Sequence, residues 1–139
     1  MRPKITESHR NYGINIGRIV RRIVEHVPGN CLEDLKEIRI LDKDPDNQGL
    51  ACYLKNEGRI EIFAYDLIGD LPWVIKKTYI LPYVILSMAL GHEIDHHVNA
   101  LADNIDKEKS AENNALRYVY PSFGIFKPIA KLLSFMFSR

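Results

Sequence analysis

The chain has few cysteines, little net charge and no long apolar run, and each shortage narrows what it can be. Only two cysteines are present, Cys31 and Cys52, in no C-x-x-C spacing; at most one bridge could form, so the fold is not a disulfide scaffold. Basic and acidic residues nearly cancel at a formal net charge of +1. No global field therefore draws nucleic acid, and no basic run with interleaved aromatics suggests a groove binder, so a direct nucleic-acid partner is not expected. The longest uncharged stretch, Thr78 to Gly91, contains Pro82 and is shorter than the roughly 20 residues a helix needs to cross a bilayer. It reads as buried core, not as a transmembrane span. Met1-Arg2-Pro3-Lys4 opens no secretory apolar run, which with two thiols leads us to expect a cytoplasmic protein with free cysteines. No repeat or low-complexity tract is visible.

What is present suffices for one domain over residues 1–139. A chain of 139 residues with 46% hydrophobic content can bury a core unaided. Ile16, Ile19, Val20, Ile23, Val24 and Val27 recur at helical spacing between Arg18, Arg21, Arg22 and Glu25, and Pro28-Gly29 closes the segment; this predicts an amphipathic first helix whose arginines are a solvated face. Asn30, with Glu33 three residues on, resembles a cap on a short turn. Lys36 to Leu41 alternates as a strand, and 42–49 is a polar loop without the spacing of a calcium-binding hand. Leu50 to Lys55 and Arg59 to Tyr65 form a hairpin across a linker ending in Gly58, which predicts a three-stranded antiparallel meander. Within it the face of Glu61, Phe63 and Tyr65 suggests a role outside the core. Asp70-Leu71-Pro72 predicts a short helix capped by Asp70 and running through Lys77, with Trp73 as packing. Pro82 then marks the start of a long helix reaching Ala102 or Asp103.

That long helix carries the one stretch that states a chemistry, His92-Glu93-Ile94-Asp95-His96, the pattern H-E-x-x-H. Residues four apart share a helix face, so His92 and His96 can direct imidazole nitrogens to one zinc ion while Glu93 stands beside it as general base. Leu86, Leu90, Ile94 and Leu101, with Val98 near the stripe, supply the core side. Asp95 and His97 receive no role from the pattern. A catalytic zinc usually takes three protein ligands and leaves a fourth position open. Asn99 and Ala102 stand where an H-E-x-x-H-x-x-G-x-x-H site needs Gly and His. The remaining carboxylates are Asp103 or Asp106 near the helix end, and Glu108 or Glu112 on a following helix that Pro121 ends. Glu112 with Ala115 is the better placed pair, since a small residue one turn on permits close helix approach.

With these residues in view, the sequence resembles the gluzincin metallopeptidases, in which H-E-x-x-H is completed by a glutamate from a following helix. Glu112-Asn113-Asn114-Ala115 with Tyr118 is similar to the E-x-x-A motif of small soluble ImmA/IrrE-type proteins and minimal gluzincins, over roughly Arg18 to Tyr120. The resemblance implies an α+β, zincin-like fold: N-terminal helix, three-stranded antiparallel sheet, metal-binding helix, glutamate helix, C-terminal helix. It implies His92, His96 and Glu112 as zinc ligands and Glu93 as general base and acid in hydrolysis of a peptide or protein substrate by a selective or latent endopeptidase. A departure is Leu116, where relatives often carry Asp or Asn that hydrogen-bonds a ligand histidine. The strand Arg59 to Tyr65 is expected at the edge nearest the metal helix, where a peptide would pair. Tyr83, Tyr118 and Tyr120 are the candidates for oxyanion stabilisation. The tail from Ser122 to Arg139 is apolar and basic; it is expected to pack over the domain and cover the cleft, with peripheral contact to anionic lipid as the rival reading. The alternative function is a non-catalytic, metal-binding regulatory or interaction protein derived from a metallopeptidase.

Overall fold

A computed structural model describes residues 2–44, 49–69, 71–78 and 80–101. The predicted glutamate helix with Glu112, and the tail from Ser122 to Arg139, lie outside the described residues. The elements are β1 (Lys4–Ser8), α1 (Ile16–His26), β2 (Glu37–Leu41), β3 (Ala51–Leu54), β4 (Arg59–Phe63), α2 (Trp73–Lys77) and α3 (Ile80–Leu101). A 3₁₀ turn at Gly29–Leu32 precedes β2, another at Lys55–Glu57 joins β3 to β4, and a π-helical turn spans Tyr65–Gly69.

The fold is α+β, built on a four-stranded mixed sheet in the order β1-β2-β4-β3. β1 pairs parallel with β2, β2 parallel with β4, and β3 antiparallel with β4. This corrects the expected three-stranded antiparallel meander in two ways. β3 does not pair beside β2; the place next to β2, roughly 5 Å away, is taken by β4. And the N-terminus contributes a strand that precedes the first helix. β1 is polar apart from Ile5, so its pairing with β2 makes it a strand, and alternation alone does not reveal it. The predicted β3–β4 hairpin is present, with Gly58 at φ 59° closing the turn.

Strand alternation divides the sheet into two unlike faces. Ile38, Ile40, Ile60 and Ile62 are fully buried on the inner face, where α1 lies against β1 and α3 against β3 and β4, the two helices touching each other. The buried residues of α1 are Ile16, Gly17, Ile19, Val20, Ile23 and Val24, the stripe its periodicity predicts, and Asn15 caps it by accepting from the Arg18 N–H at 3.0 Å. On the outer face Arg39 meets Glu37 at 2.9 Å and Glu61 at 4.0 Å, and Arg59 meets Glu61 at 3.3 Å. Of these pairs only Arg39–Glu61 crosses between neighbouring strands, where the two residues stand opposite each other and favour the observed register.

Smaller expectations also change. The turn at Gly29–Leu32 is preceded by Pro28 with no side-chain cap, so Asn30 lies within it and does not cap it. Pro72 stands at the N-cap of α2 without a side-chain bond; Asp70 lies outside the described residues. Trp73 is 67% exposed and not packed, with the Lys77 ammonium 4.0 Å above its ring. Phe63 is buried and Glu61 belongs to the ion ladder. No helix among the described residues is long and apolar enough to cross a membrane.

Candidate metal centre

α3 places the H-E-x-x-H residues on two adjoining sides of one helix. Leu86, Leu90 and Ile94 are fully buried and fix its rotation against the sheet, while Val98 packs at the margin of the core. With that rotation set, His92 and His96 are half-buried, one turn apart, their ring centres 4.9 Å from each other and their planes tilted by 70°. Two imidazoles bound to a tetrahedral ion at zinc–nitrogen distances of about 2 Å place their ring centres about 5 Å apart. The ring spacing is the one that two imidazoles sharing such an ion would have. Among the described residues no group of three or more His, Cys, Asp and Glu side chains gathers as a metal site; the predicted third ligand, Glu112, lies outside them, as do Asp103, Asp106 and Glu108.

Glu93 is only 7% exposed, in keeping with its place toward the sheet side of α3. Its charge acts on the Cys52 thiol of β3, whose pKa is pushed up to about 11 by burial first, then by Glu61 and Glu93. The base candidate thus stands within electrostatic reach of β3. Among the described residues that strand, and not β4, is the sheet edge beside the helix: β4 is interior between β2 and β3. The expected edge strand is corrected accordingly. Tyr83 lies nine positions before His92, about 13 Å along the axis, too far to stabilise charge at the imidazole pair. Tyr118 and Tyr120 lie outside the described residues.

Sequence reasoning left Asp95 and His97 without roles, and the structure supplies one for each. Asp95, 2% exposed, accepts from the Asn99 side-chain amide at 3.2 Å, an i, i+4 bond along α3. His97, also 2% exposed, bonds the Tyr53 hydroxyl at 2.8 Å through Nδ1 and the Glu33 carbonyl at 2.6 Å through Nε2. The available signal was position: His97 follows Glu93 by four residues and falls on the same buried side.

No family model, curated protein or solved structure matches the chain.

Proposed function

We propose that the protein is a zinc-dependent peptidase, a selective or latent endopeptidase acting on a peptide or protein substrate. The observation that carries this reading is the His92–His96 pair at 4.9 Å with Glu93 buried one residue away, facing an edge strand. His92, His96 and Glu112 would hold the ion, the last by the E-x-x-A resemblance. Zinc held there supplies Lewis acidity, polarising the scissile carbonyl and acidifying water. Glu93 takes the proton of the attacking water and returns it to the leaving amine. Among the described residues no strand pairs with the outer edge of β3, and an extended peptide added there as a further strand would bring its carbonyl toward α3.

Peptide-library cleavage by zinc-loaded protein, with Glu93→Gln as control, tests this. The amide keeps size and leaves His92 and His96 in place, so fold and zinc content should persist while turnover falls about 10²- to 10⁴-fold. Undiminished cleavage by Glu93→Gln would remove Glu93 as the base. Stoichiometric zinc without cleavage of any peptide would instead leave the regulatory, non-catalytic reading.

A further inference from the structure

His97 uses both of its ring nitrogens while almost wholly buried. The Glu33 carbonyl, 2.6 Å from Nε2, can only accept, so Nε2 carries the proton; Nδ1 then accepts from the Tyr53 hydroxyl at 2.8 Å. The Tyr53 ring meets the imidazole edge-on, centres 5.3 Å apart at 72°. The three partners come from three elements: Tyr53 from edge strand β3, His97 from α3, and Glu33 from the turn after Gly29–Leu32. That turn is itself fixed. Asp34 adopts φ 63°, Leu35 N–H bonds the Leu32 carbonyl at 3.1 Å, and Lys36 N–H bonds the Gly58 carbonyl at 2.8 Å.

An apolar residue at position 97 would fill the same space and extend the packing of Leu86, Leu90 and Ile94, but apolar contact is non-directional and sets height and rotation less sharply than a hydrogen bond. Two directional bonds from one ring fix both the height of α3 along β3 and its rotation. Glu93 lies one turn before His97 on the same side of the helix, so whatever sets His97 sets the separation of Glu93 from β3. We propose that Tyr53 and His97 are positioning residues that hold Glu93 and the His92–His96 pair at a fixed height and rotation against the β3 edge; this rests on the hydrolytic reading above. Neither residue touches substrate in this role. Tyr53 acts through His97, and His97 through the helix.

The test uses full-length, zinc-loaded protein. Tyr53→Phe, His97→Leu and His97→Gln are compared with wild type and with Ile38→Val, a β2 core truncation that lowers stability without touching the three partners. Steady-state kinetics on a peptide that wild type cleaves are measured well below each melting temperature, alongside zinc content and ¹⁵N spectra of the imidazoles. Wild type should show His97 protonated at Nε2. Tyr53→Phe keeps the ring and loses only the donor; kcat should fall about ten- to a hundredfold, as a misplacement of catalytic groups by a fraction of an ångström to 1 Å costs. KM should stay within about twofold, because substrate pairing with the edge is intact. Zinc should remain stoichiometric, the Nδ1 resonance should shift, and Ile38→Val should retain wild-type kcat. His97→Gln, which keeps one donor and one acceptor, should retain more kcat than His97→Leu. Wild-type kcat and KM in both Tyr53→Phe and His97→Leu, with only a lowered melting temperature, would overturn the inference while leaving the peptidase reading intact. Should His97→Leu fail to fold, Tyr53→Phe decides alone. Wild-type protein that cleaves no peptide would overturn the peptidase reading first, and this inference with it.

Discussion

The Cys52 thiol on β3 and the Glu93 carboxylate on α3 lie close enough for the charge of one to oppose ionisation of the other. Burial is the larger cause, followed by Glu61 and then Glu93, and together they push the thiol to about 11. At pH 8 about one thiol in a thousand would then be ionised, against roughly a quarter of an ordinary cysteine. Cys52 should therefore resist iodoacetamide at pH 8, as followed by mass spectrometry of the 51–59 region. Glu93→Gln removes one opposing charge and should speed the reaction modestly. Fast alkylation of wild type would mean that the thiol is not buried beside carboxylates.

Removal of the proposed metal ligands separates the candidates for the third position. His92→Ala and His96→Ala should each lose zinc measured by elemental analysis after dialysis, since each deletes one of two paired imidazoles. Glu112→Ala should do the same, with Asp106→Ala and Glu108→Ala retaining the metal. Zinc kept by Glu112→Ala and lost by Asp106→Ala would transfer the ligand role to Asp106 and break the E-x-x-A resemblance.

The Tyr12 hydroxyl donates to Asp42 Oδ1 and ties the loop after β1 to the end of β2. Its pKa is raised from 10.0 to about 12, by burial first and then by the Asp42 bond; the same bond holds the Asp42 carboxyl below its ordinary 3.8. A raised folded-state pKa means that the stabilisation is whole below pH 10 and is lost as pH rises through about 12. The Asp42 contribution has the opposite sense: present above 3.8, it disappears as pH falls through the lower folded-state value. The stability difference between wild type and Tyr12→Phe should thus form a plateau that shrinks at both ends. Melting temperatures from pH 3 to 12 measure it, and a difference that grows above pH 10 would contradict the assignment.

Two glycines should respond oppositely to alanine. At Gly17 a β-carbon would lie 2.2 Å from the Glu7 carboxylate, but that group ends a flexible side chain and can move away from His9 and Arg21, its partners at 3.1 and 3.3 Å. Losing such exposed pairs costs about 0–1 kcal/mol, offset by about 1 kcal/mol of helix propensity, so Gly17→Ala should be nearly neutral. At Gly58 the φ of +59° is strained for alanine and the new atom would meet the Asp34 backbone oxygen at 3.0 Å. Gly58→Ala should destabilise by about 1–2 kcal/mol, readable as a lower urea midpoint. Equal effects would show that the Asp34 turn yields.

Periodicity made α1, the β3–β4 hairpin and the start of α3 legible, because each carries its own pattern: Ile16 to Val24 at helical spacing, Gly58 at the turn, Pro82 in the first turn of the helix. Sheet order was not legible. It depends on which strand occupies the place beside β2, and nothing in Glu37–Leu41 distinguishes β3 from β4 as neighbour. β1 was missed for a related reason, since Lys4–Ser8 offers a single large apolar residue and is held by register with Glu37–Leu41. Of the candidate site, His92, Glu93 and His96 could be placed on one helix from spacing alone. The bonding of His97 could not, because its partners Tyr53 and Glu33 stand 44 and 64 residues away in the chain.

The strands do not neighbour one another in the order in which they are made. Glu37–Leu41 and Ala51–Leu54 both leave the ribosome before Arg59–Phe63, the strand each needs as a partner. At synthesis rates of about 5–20 residues per second, β1, α1 and β2 have at least a second to assemble first. β3 meanwhile has only its hairpin partner to await. Closure of the sheet, and with it a seat for the helix that carries the two histidines, is timed by the arrival of β4.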